Sequence, residues 1–168
     1  MRTGIAESGT LPSFRRVASP FMFCLAILPS TATAQQPAPV PLRPEAFHWF
    51  SPPGMPDIRA AWVIGAEAGS SAYLLRVKLA PGGRIPPHTH PDERSSTVLS
   101  GTLYVGFGDT VDEARMVAIP AGGVYVAPAR VPHYLWAKDG EVTYQEAGTG
   151  PTGTVPVVGA GKGRPSAR

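Results

Sequence analysis

Residues 86–93 read Pro86-Pro87-His88-Thr89-His90-Pro91-Asp92-Glu93 and hold two of the four histidines in this 168-residue chain. Along an extended strand, successive side chains point to opposite faces, so positions i and i+2 share one. His88 and His90 therefore aim two imidazoles the same way. Neutral imidazole is the commonest protein ligand for borderline divalent metals. Two ligands make a weak site, and the candidate for a third is His133. The pair Pro86-Pro87 stiffens the approach to His88. The fourth histidine, His48, lies in the aromatic run Phe47-His48-Trp49-Phe50 and reads as a packing residue.

Outward from this segment, strand signals recur at short intervals. In residues 73–79, Tyr73, Leu75, Val77 and Leu79 alternate with Leu74, Arg76 and Lys78, the pattern of a half-buried strand. Further strands are expected over residues 60–66, 95–100, 103–107, 115–119, 124–127, 133–137 and 141–147. Turn residues separate them: Pro81-Gly82-Gly83, Gly101, Pro120-Ala121-Gly122-Gly123, Pro128 and Asp139-Gly140. Asp139-Gly140 between two such runs is a hairpin signal. No run has a sustained helical period, and 19 glycines with 20 prolines would break long helices. At least eight short strands joined by tight turns predict an all-β fold, a β-barrel or jelly roll. The Phe47–Phe50 run is expected to cover the open end of that barrel or to pair with its edge.

Two spaced motifs give a resemblance to the cupin superfamily. The first cupin motif runs Gly, five residues, His-x-His, three or four residues, Glu, six residues, Gly; this chain offers Gly82, His88-Thr89-His90 and Gly101 in that register. The second runs Gly, five residues, Pro-x-Gly, two residues, His, three residues, Asn; here stand Gly122, Pro128 and His133. The resemblance implies a cupin-type barrel (a double-stranded β-helix, or jelly roll) with a divalent ion held by His88, His90 and His133. Iron, manganese, zinc, nickel and copper are not distinguished. Three imidazoles leave coordination sites open for water, oxygen or a bidentate substrate.

This chain departs from the pattern at three places. The position of the motif glutamate is Arg94, and Glu93 stands one residue early; a bulge at Pro91-Asp92 would bring Glu93 round as a fourth ligand. The second motif's glycine is Arg130, and its asparagine is Ala137. Arg94 has two readings. It forms an ion pair with Asp92 or Glu93 at the barrel mouth, or it lies beside the metal and offers its fork to a substrate carboxylate. By strand parity Ser96, Val98 and Leu135 are candidate pocket walls, and Tyr125, Tyr134 and Trp136 can face either the pocket or a second sheet. Arg94, Ser96 and Tyr125 are the candidate substrate contacts.

Superfamily membership does not select a reaction. One reading is an enzyme, dioxygenase-like, acting on a small oxygen-rich substrate. The other is a module that binds metal or a small ligand without turnover.

Composition narrows the setting. A hydrophobic fraction of 43% and a charged fraction of 16% belong to a folded chain with one core, not a disordered one. Of 15 basic and 12 acidic residues, Arg2, Arg15, Arg16 and Glu7 precede residue 35, which leaves 12 and 11. No basic stripe remains, so nucleic acid is not an expected partner. The N-terminus reads as a secretory signal over residues 1–34: Arg15-Arg16, an apolar run over 17–28, then Ala32-Thr33-Ala34 for cleavage. The run is too short to span a bilayer, so no membrane anchor remains after cleavage, and the product is periplasmic or secreted. The paired arginines suit either the general secretory or the twin-arginine route. The only cysteine, Cys24, leaves with the signal, which suits an oxidising compartment. Residues 35–46 read as a Pro-rich flexible arm, 47–158 as a single barrel domain, and 159–168 as a disordered tail. An open sheet edge predicts a homodimer.

Overall fold

In the computed structural model, residues 41–158 are described; the expected signal segment, the first part of the Pro-rich arm and the tail lie outside them. Ten strands occur among these residues: β1 Ile58–Ile64, β2 Ala72–Leu79, β3 Arg84–Thr89, β4 Arg94–Ser100, β5 Thr102–Phe107, β6 Val117–Pro120, β7 Val124–Ala127, β8 His133–Trp136, β9 Val142–Thr149 and β10 Val155–Pro156. They form two five-stranded sheets with orders β1-β2-β9-β4-β7 and β10-β3-β8-β5-β6. Every pairing is antiparallel. The architecture is the expected all-β jelly roll.

Period-two alternation explains the packing. Along β2, Tyr73, Leu75, Val77 and Leu79 are buried while Leu74, Arg76 and Lys78 are only partly covered. Val98, Leu103, Val105, Leu135, Val142 and Tyr144 meet them from the other strands. Each such apolar side chain removed from water contributes roughly 1.5–3 kcal/mol, so the alternation both specifies register and supplies most of the driving force.

Asp139-Gly140 does turn the chain, but β8 and β9 belong to different sheets, so the hairpin reading is wrong. The local chemistry of a two-residue turn is the same whether its flanking strands pair or diverge. Tyr104 Oη fixes this turn by donating to Asp139 Oδ2 at 2.6 Å. The segment read as a strand from residue 115 begins instead with a 3-10 turn, Glu113–Arg115, capped by the Asp112 side chain. The two-residue strand β10 gave no sequence signal.

The aromatic run pairs with the barrel edge. Phe50 makes an isolated antiparallel bridge to Ala60 of β1, with N–H···O distances of 2.9 and 2.8 Å. Trp49 lies over Arg59 and Lys78, and Phe47 over Arg76, at 5.0–5.8 Å. His48 is exposed, so it is not the packing residue expected from its aromatic neighbours.

Candidate metal centre

β3 and β8 are neighbours, and their register sets His88 directly opposite His133. His90 follows one residue past the end of β3 and returns to the same side. Ring centroids are separated by 4.8 Å (His88–His90), 4.3 Å (His88–His133) and 5.1 Å (His90–His133). All three are buried, at 4, 3 and 1% exposure for His88, His90 and His133. Their candidate ligand atoms lie within 4.8 Å of one another.

Hydrogen bonds settle which nitrogen each ring presents. His88 Nδ1 lies 2.8 Å from the Pro86 carbonyl, His90 Nδ1 2.7 Å from the Gly153 carbonyl, and His133 Nδ1 3.2 Å from the Val131 carbonyl. A carbonyl only accepts, so each Nδ1 carries the proton and donates. Nε2 is then the atom left with a lone pair. His90 Nε2 is buried and has no hydrogen-bond partner among the described residues. An orphaned buried acceptor is unfavourable unless something else engages it. Burial first, and neighbouring charge second, lower the imidazole pKa values to about 4 for His88 and about 3 for His90; burial also lowers His133. All three rings are therefore neutral near pH 7, the form that binds metal. The donor set fits a borderline divalent ion.

Arg94 and Glu93 resolve in opposite directions. Glu93 is exposed and outside the three-histidine group, so it is not placed as a fourth ligand. No bulge turns it inward: β4 begins at Arg94, and simple alternation faces Arg94 inward and Glu93 out. Arg94, 3% exposed, pairs through Nη1 with Glu146 Oε2 at 2.5 Å. Its Nη2 donates to Thr152 Oγ1 at 2.6 Å and to the Gly153 carbonyl at 3.1 Å. Its Nε lies 3.8 Å from Asp92 Oδ1. Asp92 in turn accepts from Tyr73 Oη at 2.5 Å and from Thr152 Oγ1. Burial alone would lower the Arg94 pKa, but Glu146, Tyr73 and Asp92 outweigh it and the guanidinium stays charged. Burial pushes the Glu146 carboxyl up against the pull of Arg94. Burial and Asp92 push Tyr73 up to about 12, so it keeps its proton as the donor.

Sequence reasoning paired Arg94 with Asp92 or Glu93 and missed Glu146. Its signal was present: Glu146 shares strand parity with the apolar Val142 and Tyr144, and a carboxylate on a buried face requires a partner. Thr152 and Gly153 had no comparable signal, because they belong to an irregular segment with no period.

A cavity of about 400 Å³ opens beside these groups. His88, His90, Arg94 and Glu146 form its polar end; Trp62, Leu75, Val77 and Met55 are among its apolar walls. Ser96, Val98, Leu135 and Tyr125 do not line it. Ser96 lies two residues, about 7 Å, further along β4 than Arg94, in the packed core opposite Tyr125 of β7. Parity named the inward face correctly but not the depth at which the cavity ends. Tyr134 faces the other way, with its hydroxyl bonded to the Asp112 backbone. Trp136, on the same strand, is half-buried and likewise not a wall of the cavity beside the histidines.

Residues 75–145 match the family model described as a cupin domain. This segment is a cupin domain. The chain is 41% identical over 81 residues to germin-like protein 3-1 of Oryza sativa subsp. japonica, covering 48% of this chain and 36% of that protein. It is 42% identical over 65 residues to germin-like protein subfamily 2 member 2 of Arabidopsis thaliana, covering 38% and 30%. The chain thus spans about a third of the length of these curated relatives. Two solved structures share the fold at 17% identity: the polyketide cyclase RemF from Streptomyces resistomycificus (TM-score 0.61, covering 71% of this chain and 86% of that one) and KdgF from a Halomonas species (TM-score 0.55, covering 67% and 94%).

Proposed function

We propose that this cupin is an exported metalloprotein that holds one divalent ion on His88, His90 and His133 and binds a small oxygen-rich molecule in the adjoining cavity. The observation that carries the reading is the common state of the three rings: each Nδ1 proton is committed to a backbone carbonyl, which leaves three neutral Nε2 donors in one cluster. A bound ion would supply Lewis acidity or oxygen activation, with coordination sites left over for a substrate. The chain's own contribution is orientation and exclusion of water. The apolar walls take the body of a ligand, and the polar end takes its oxygen atoms. The engaged fork of Arg94 makes it a structural cation first, because Glu146, Thr152 and Gly153 already occupy its terminal nitrogens.

As an enzyme this arrangement favours a dioxygenase-like reaction. One observation favours the alternative, a binding module without turnover: the buried carboxylate that lines the cavity, Glu146, is tied to Arg94 and is not free to move a proton. Oxygen uptake and product mass, measured with iron- and manganese-loaded protein on a panel of catechols, flavonols and diketones, separate the two. Turnover with any member supports the enzyme; binding without oxygen consumption or mass change supports the module. Export and a homodimer complete the proposal. Among the described residues no helix is long and apolar enough to cross a membrane. Outer strands β6 and β7 expose Val117, Val124 and Val126, an apolar edge that a second copy would cover.

A further inference from the structure

The three histidines are not held alike. His88 and His133 each donate to a carbonyl two residues earlier in their own chain segment, Pro86 and Val131. Such a partner comes with the strand itself. The carbonyl that orients His90 belongs to Gly153, 63 residues away. Gly153 lies between Thr149, the end of β9, and Val155, the start of β10. The backbone anchors of this strap flank it: Gly150 N donates to Ser71 O, Thr152 N to Glu67 O, and Val157 N to Pro87 O.

What reaches the Gly153 carbonyl besides His90 is the Arg94 guanidinium. Nη2 donates to that carbonyl and to the adjacent Thr152 hydroxyl, while Nη1 is locked on Glu146. One carbonyl oxygen has two lone pairs and can serve both donors. Thr152 Oγ1 in turn donates a hydrogen bond to Asp92 Oδ1, and Asp92 Oδ2 accepts one from Tyr73 Oη. Glu146, Arg94, Thr152, Asp92 and Tyr73 thus form one continuous chain of hydrogen bonds, anchored on β9, β4, the strap, the β3–β4 turn and β2.

Resting on the three-histidine reading above, we propose that Arg94 and Thr152 are positioning residues for His90: they aim the Gly153 carbonyl that dictates which His90 nitrogen keeps the proton. If the carbonyl swings away, the Nδ1–H loses its acceptor and the proton redistributes between the two nitrogens. Nε2 then ceases to be a dependable donor. His88 and His133, with local acceptors, are insulated from this change. Outer partners of metal-binding histidines typically alter affinity 10- to 100-fold when removed.

The test uses the full chain and Co²⁺ as the probe, with Thr152→Val, Thr152→Ser and the double variant Arg94→Met/Glu146→Leu. The double variant removes both members of the closest buried ion pair, so Glu146 is not left unpaired, and Asp92 keeps its hydrogen-bond donors Tyr73 and Thr152. Nitrogen-15 NMR of the metal-free proteins reads the tautomer of each histidine, and Co²⁺ titration followed by visible absorption reads affinity. The expected result is a mixed His90 tautomer in Thr152→Val and in the double variant, unchanged His88 and His133, and Co²⁺ affinity lower by at least 10-fold. Thr152→Ser keeps the hydroxyl and restores the parent behaviour. Parent-like His90 tautomer and affinity in whichever of Thr152→Val and the double variant folds overturns the proposal. A parent that binds no Co²⁺ defeats the metal reading instead, and the tautomer comparison still decides the positioning role.

Discussion

Arg130 stands where the second cupin motif has glycine, and its φ is +62°, the left-handed region. The backbone there takes a conformation that glycine tolerates best, and the residue is arginine. An L side chain there costs about 1–2 kcal/mol, partly offset because glycine is looser in the unfolded chain. Arg130→Gly is expected to raise stability by roughly 0.5–1 kcal/mol, read as a higher urea midpoint; a lower midpoint would show that the guanidinium has a partner worth more than the strain. The imidazoles make a second prediction at this scale. His88 and His90 are lowered from 6.5 to about 4 and about 3, so their neutral state favours the fold fully above pH 6.5. As pH falls from 6.5 towards 4, the unfolded chain takes up protons that the folded chain refuses, and stability is lost. Metal-free protein should be less stable at pH 5 than at pH 7, by on the order of 2 kcal/mol for each of these two rings. Equal urea midpoints at the two pH values would contradict the burial of neutral rings.

At the scale of elements, the β4–β5 connection is the tightest crossing, because it throws the chain from one sheet to the other in a single residue. Gly101 sits there with φ +76°, and a Cβ would run into the Glu141 carbonyl and come within 3.2 Å of Val142 Cα. Both the conformation and the space demand glycine. Gly101→Ala is expected to destabilise by about 2 kcal/mol or more, a Tm drop of roughly 10 °C; an unchanged Tm would mean that the turn can relax. Most elements were legible from alternation: β2 and β7 lie where the pattern puts them, and the His88–His133 meeting follows from two motifs. What was not legible has a common cause. Asp139-Gly140 announces a turn but not which sheet receives the next strand, since turn chemistry is local and sheet membership is not. Likewise β10 and Gly153 matter to the site through backbone atoms, which leave no mark on residue identity. Arg94 was visible as a departure from the motif, but its partner Glu146 lies 52 positions away, and only the inward parity of β9 pointed to it.

The whole molecule combines a barrel that buries three neutral imidazoles with an apolar-walled cavity that two of them, His88 and His90, line together with Arg94 and Glu146. Under the proposed export, residues 1–34 are removed and the mature chain carries no thiol. Intact mass of the exported protein is expected to correspond to a chain beginning at Gln35; a mass that includes Cys24 would contradict export by this route. The central claim is narrower and is tested by metal stoichiometry. Elemental analysis after equilibration with Co²⁺ or Mn²⁺ and removal of free ion is expected to find one equivalent per chain in the parent and in the Glu93→Gln variant, and none in a folded His88→Ala/His133→Ala variant. Equal metal in the parent and the double variant, or none in either, would contradict a centre built on His88, His90 and His133.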